Sequence, residues 1–177
     1  MNNLKQFDIQ FSGLKNGKHN FNFNVDRSLL DYYNYKEVND CDVQIVVEVD
    51  KSDTMLEFSI VSKGIVVVPC DISNELYEQE IEGNLEFIVK FGKEYNDERD
   101  DLIILPFNSY VINIAQQIYE NIVLNIPLKK IHPDILTGKR KNKNTEYIIN
   151  FGQNKKEKKE YDPRWEALKK LLTDKKK

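Results

Sequence analysis

Two stretches near the amino terminus, "FDIQF" from Phe7 and "FNFNV" from Phe21, alternate apolar with polar residues. A period of two puts every second side chain on one face of a strand, so each reads as a strand with one buried side. Between them "SGLKNGKHN" offers Gly13 and the pair Asn16-Gly17 for a turn, which predicts a hairpin of these two strands. In "DRSLLDYYNY" Asp26 suits a helix cap ahead of Leu29, Leu30, Tyr32 and Tyr33, and a short helix is expected. The alternation resumes in "DVQIVVEV", with Val43, Ile45, Val47 and Val49 on one face. "TMLEFSIV" follows with Leu56, Phe58 and Ile60. The short polar link "DKSD" makes these two antiparallel neighbours. "GIVVVPC" continues as a β-branched run to Pro69, whose missing N–H predicts a strand end or sheet edge. "LEFIVKF" then turns Leu85, Phe87, Val89 and Phe91 inward.

The next segment, "GKEYNDERDD", is acidic, yet it lacks the glycine and the closing glutamate of a calcium-binding EF-hand loop and reads as a solvated loop before "LIILP". After Pro106 the period changes. "NSYVINIAQQIYENIVLNIP" places Val111, Ile114, Ile118 and Ile122 at helical spacing, with Asn108 or Ser109 as the cap and Pro127 beyond the end. A long helix covering the apolar sheet face is expected. The pattern as a whole predicts an α+β fold: a mainly antiparallel, curled β-sheet covered by one long helix, with a basic C-terminal tail.

From Lys129 the composition shifts. "GKRKNKNTEYIINFGQNKKEKKEY" has too few apolar residues to offset the entropy of ordering, and it reads as a flexible linker. The closing "DPRWEALKKLL" differs: Asp162 suits the cap, Pro163 the first helical position, and Trp165, Leu168 and Leu172 share a face. Such a short amphipathic helix needs a surface to dock on. The expected division is therefore a domain over residues 1–132, a basic linker over 133–160 and the short helix with its lysine-rich end over 161–177. A chain of 177 residues, 40% apolar, suits one compact domain with an appendage.

Charge sharpens this division. Residues 1–128 hold 10 Lys/Arg against 22 Asp/Glu, whereas residues 129–177 hold 16 against 7, so a net of −3 hides −12 beside +9. An acidic body with a basic arm suggests a phosphate-rich partner for the arm, although lysines also serve simply to keep a solvated segment soluble. Within the arm Lys139, Arg140, Lys141, Lys143, Lys155, Lys156 and Arg164 are the candidate nucleic-acid contacts. Trp165, Leu168 and Leu172 are the candidate partner contacts. Arg164 beside Trp165 pairs a guanidinium with an aromatic ring, which suits phosphate binding and base stacking; docking of Trp165 on the protein's own sheet is the competing reading.

Other chemistry finds little support. The two cysteines, Cys41 and Cys70, form no CxxC pair, and His19 and His132 lie far apart, so a metal site is not indicated. No glycine-rich phosphate loop, GxSxG elbow or HExxH sequence is present, and neither an enzymatic reaction nor a small-molecule substrate is expected. The longest apolar run, Ile65 to Val68, is far short of a membrane span, and no secretory pattern opens the chain, so a cytoplasmic location is the expectation.

In this order and at these distances, "VVVPCDISNEL", "FIVKFG", "DDLIILP", "IAQQIYENIVLNIPLKKIHPD" and "DPRWEALKKL" resemble the bacterial and plastid YceD family, also called DUF177. The resemblance runs from about Val43 to Leu172 and is greatest to the shorter, cysteine-poor members. It implies a role in accumulation of large-subunit ribosomal RNA, with ribosomal RNA or a large-subunit ribosomal protein as partner, and implies no catalysis or cofactor. The motif residues carried over are Cys70, Asp71, His132, Asp162, Pro163 and Arg164. Where many members have C-D-R-C-L, this chain has Cys70-Asp71-Ile72-Ser73-Asn74, so the second cysteine is missing and no zinc site transfers. Cys70 reads as a buried thiol and Asp71 as a turn cap; His132 suits either a helix-end contact or a phosphate. A protein-interaction module that docks its C-terminal helix without touching RNA is the alternative function.

Overall fold

The computed structural model describes residues 4–99 and 101–137, except for the side chain of Glu98. The chain divides into two units, residues 1–132 and 133–177. The first is a six-stranded sheet with a helix on one face and a separate two-stranded ribbon. Of the second, only the helical turn Pro133–Leu136 and Thr137 are described.

The long alternating segments become the sheet. Strand β2 (Gly17–Asp26) pairs antiparallel with β3 (Asp40–Lys51), β3 with β4 (Met55–Pro69), and β4 with β5 (Leu76–Gly92). Strand β7 (Leu102–Pro106) then lies parallel to β5, and β6 (Asn96–Arg99) closes the row antiparallel to β7. The order β2-β3-β4-β5-β7-β6 leaves the sheet open. Val43, Ile45, Val47 and Val49 are all buried, as are Leu56, Phe58, Ile60, Phe87 and Val89. Phe58 and Phe87 are direct cross-strand partners with stacked rings, their centroids 4.7 Å apart. Strand β4 ends at Pro69, as its missing N–H requires.

Asp26 caps the short helix α1 (Arg27–Tyr32), its carboxylate accepting from the Ser28 N–H at 2.9 Å. Helix α2 (Ala115–Leu124) covers the inner sheet face with Ala115, Ile118 and Ile122. It begins four residues later than the spacing from Val111 suggests. Val111–Asn113 instead form a strand, β8, and the N-cap is Ile114 in place of Asn108 or Ser109, with the Asn113 side chain just before it accepting from the Ala115 N–H at 3.1 Å. The expected first hairpin is also replaced. Strand β1 (Asp8–Gln10) pairs with β8, not with β2, so Ile9 meets Ile112 from the far end of the domain. The acidic segment "NDER" is the strand β6 rather than a loop, and β5 begins nine residues before Leu85, at Leu76.

Helix and sheet meet closely at Gly83, which faces the helix side of β5. A Cβ there would lie 2.5 Å from Asn121 Oδ1. The buried Asn121 donates to the Ile60 carbonyl at 3.4 Å and accepts from the Asn125 side chain at 3.0 Å. Ser62, fully buried, donates to the Gly83 carbonyl at 3.4 Å. Each of these polar groups therefore has a partner in a setting where an unpaired one costs about 1–3 kcal/mol. Among the described residues no helix is long and apolar enough to cross a membrane.

Gly83→Ala is expected to push α2 off the sheet and to lower stability by about 1–3 kcal/mol, the usual cost of overpacking. Urea denaturation checks this; Gly13→Ala, where no atom lies within 4 Å of an added Cβ, is the control and should change little.

Candidate functional site: a clasp between the β4 turn and the chain leaving α2

Sequence positions far apart meet where β4 ends. Cys70 donates its N–H to the Glu75 carbonyl and accepts, at its own carbonyl, from Asn74, both at 2.8 Å. Asn74 takes a left-handed conformation, φ 59°, to close this turn, a geometry asparagine tolerates better than most residues. The closed turn presents Asp71 outward to the segment that follows α2. Asp71 donates its N–H to the Lys130 carbonyl at 2.7 Å, and its carboxylate accepts the Lys130 N–H at 2.8 Å. Two residues on, the His132 N–H points at the Cys70 sulfur at 3.3 Å, and the His132 ring lies against Tyr77, centroids 5.5 Å apart.

The Lys130 ammonium extends the clasp to a third element. The Lys130 side chain is 13% exposed, and its ammonium donates to Glu37 Oε2 at 2.9 Å. Glu37 also accepts a longer bond from the Tyr35 hydroxyl. Tyr35 in turn meets Tyr119 of α2 edge-on, and Tyr33 stacks on Tyr119 with centroids 4.3 Å apart. The loop after α1, the helix α2 and the β4 turn are thus joined through aromatic and polar contacts around Lys130.

Electrostatics agree with this geometry. The hydrogen bond and charge of Lys130 hold the Glu37 carboxyl below its ordinary range, and the Glu37 partner holds the Lys130 ammonium above its own. Burial pushes the Cys70 thiol up, but the N–H groups of Ser73, His132 and Ile72 and the Ser73 hydroxyl outweigh it and leave the thiol below its usual value. Cys41 goes the other way: burial first, then Asp40, Asp26 and Asp42, push it up to about 12. What the clasp orients is backbone: Asp71 and Cys70 each bind a main-chain N–H, which ties residues 130 and 132 to the end of β4.

Three of the motif residues, Cys70, Asp71 and His132, are therefore brought together, with Cys70 buried; the Asp71 carboxylate takes the N–H of Lys130, 59 residues away, rather than capping its own turn. His132 joins them through its main chain and ring. Asp162, Pro163, Arg164, Trp165, Leu168 and Leu172 lie outside the described residues, as do Lys139, Arg140, Lys141, Lys143, Lys155 and Lys156. The sequence reading missed Lys130, Glu37 and Tyr77, which carry no local motif.

The family model "Large ribosomal RNA subunit accumulation protein YceD" matches residues 58–172, a span that includes the whole clasp apart from Glu37, Tyr33 and Tyr35. No curated protein and no solved structure matches the chain significantly.

Removing the Asp71 carboxylate with Asp71→Ala should cost about 1–2 kcal/mol and speed amide hydrogen exchange at Lys130, whereas Asp71→Asn, which keeps an acceptor, should lose less. Unchanged exchange at Lys130 would contradict the clasp. For Glu37, a depressed folded pKa means a contribution present above the ordinary carboxyl range and lost as pH falls through the folded value. Glu37→Gln should therefore lower stability at neutral pH by no more than about 1 kcal/mol, since Glu37 is mostly exposed, and should match wild type once acid protonates Glu37. Denaturation curves across that pH range check the convergence.

Proposed function

The chain belongs to the YceD family, and from that premise we propose that it is a non-enzymatic factor in large ribosomal subunit biogenesis, promoting accumulation of the large ribosomal RNA by binding that RNA or a large-subunit ribosomal protein. The observation that carries this reading is the extent of the family match. It begins inside β4 and runs to residue 172, so one family unit takes in the later part of the acidic folded domain together with the basic segment that follows it. The clasp gives that union a physical basis, because it sets where the basic segment leaves the domain. Charge divides the labour. The stretch containing Lys139, Arg140, Lys141 and Lys143 attracts phosphate, while the domain, with more than two acidic residues for each basic one, repels it. Binding follows from counterion release along the RNA backbone and requires no bond to be made or broken. The protein works in the compartment where ribosomes are assembled.

Tagged protein purified from its own cells at low salt should carry large-subunit ribosomal RNA and lose it steeply as salt rises. Replacing Lys139, Arg140, Lys141 and Lys143 with glutamine should flatten the dependence of log affinity on log salt by up to roughly 3, the counterions no longer released from single-stranded RNA. RNA retained to the same extent by this variant would contradict the role of the basic segment. A protein partner held without RNA, and lost in Trp165→Ala alone, would favour docking of the terminal segment on a protein.

A further inference from the structure

The sheet has a second face, turned away from α2. On β3 to β5 it carries Asp42, Glu48, Asp50, Glu57, Glu78, Glu80, Glu82 and Glu86, interrupted by Lys63 and Lys90, with Lys18 beside them on β2. Among the described residues only Lys18–Glu48, at 2.7 Å, and Lys63–Glu82, at 3.9 Å, are ion pairs on this face. The arrangement costs stability. Asp50 sits directly across from Glu57, and Glu78, Glu80 and Glu82 follow one another along one face of β5. Like charges directly opposite one another in a sheet are destabilising.

Within this acidic field lies apolar surface. Val46 and Val61 are cross-strand partners, 46% and 41% exposed, and Ile65 further along β4 is 39% exposed. Two concavities open on the same face. One of about 340 Å³ is walled by Glu48, Asp50, Glu57, Glu86 and Asp101, with Lys18 the single cation. The other, of about 640 Å³, is lined by Lys63, Ile65, Glu80 and Glu82. An apolar centre with a charged rim is the build of a protein-binding surface, and the sign of the rim selects the partner. Nucleic acid is repelled. Among the described residues no group of three or more carboxylates, thiols or imidazoles is placed to hold a metal ion.

We propose that this outer face, centred on Val46, Val61 and Ile65 and ringed by Asp50, Glu57, Glu80 and Glu86, docks a lysine- and arginine-rich segment of another protein. Ammonium and guanidinium groups enter the two carboxylate-lined concavities while the aliphatic stems of those side chains cover the valines. The inference deepens the reading above and rests on it for the setting, in which basic ribosomal proteins are the partners at hand; the charge and relief of the face stand by themselves.

Full-length protein titrated calorimetrically with a synthetic lysine- and arginine-rich peptide tests it. Asp50→Asn, Glu57→Gln and Glu86→Gln together should weaken binding at least about tenfold, and Val61→Ser on top of them further. The control set Asp53→Asn, Glu94→Gln and Glu120→Gln removes the same charge elsewhere and should weaken binding less than about twofold. Equal losses in the two sets would overturn the proposal. Glu57→Gln alone should raise the melting temperature, because it relieves the facing pair and leaves Asp50 its other cross-strand neighbour, Lys18; a fall would contradict the strain described here. An RNA oligomer serves as the second probe, and loss of RNA binding in the face variant would also overturn the proposal. If wild type holds no RNA but the face variant still loses the peptide, the face stands and the RNA reading of the basic segment falls.

Discussion

Helix α2 lies on the sheet as it does because β5 has no side chain at residue 83. The bare backbone there lets Asn121 reach the carbonyl of Ile60 on β4, and it gives Asn125 room to cap Asn121 in turn. Where a side chain at that position would hold the helix away, Ile118 and Ile122 would lose the tight packing that makes their burial worth about 1.5–3 kcal/mol each. The same contact commits one face of the sheet to the core. Among the described residues no helix covers the opposite face, and it is there that the acidic residues collect.

The clasp follows from this seating. With α2 fixed, the chain emerging after Asn125 passes the end of β4, where Asp71 and Cys70 take hold of its backbone and Lys130 reaches Glu37. None of these interactions is strong singly. Together they bind three segments that are 59 and 93 residues apart in sequence, and they do so where the acidic domain gives way to the basic segment. The molecule keeps opposite charges in separate parts and fixes the point at which one becomes the other. That separation suits the proposed factor, which would meet a polyanion through one part and cationic proteins through the other.

Much of the sheet was legible because its alternation is uninterrupted: Val43 to Val49 and Leu56 to Ile60 could face only one way. The errors came where local pattern competes with distant pairing. Ile9 alternates like a hairpin strand, yet its partner is Ile112, more than a hundred residues away, and no local signal announces that. Val111 fits the helical stripe of Ile114 and Ile118, but the pairing with β1 draws it into a strand, and Asn113 restarts the chain as a helix. The first half of β5 was hidden by its glutamates, whose alternation with Tyr77, Ile81 and Gly83 marks an outer face rather than a loop. At the site, Cys70, Asp71 and His132 were found by family resemblance alone. Lys130 and Glu37 were not found, since an ion pair between distant surface segments leaves no pattern in sequence.

The central claim is that an acidic domain and a basic segment, joined at the clasp, act together on the large ribosomal RNA. The most direct measurement is the ratio of large- to small-subunit ribosomal RNA in cells lacking this chain and supplied with either the whole protein or residues 1–137. The account predicts a lowered ratio that the whole protein restores and the shortened one does not. Full restoration by residues 1–137 would contradict it, and so would a ratio unchanged by loss of the protein.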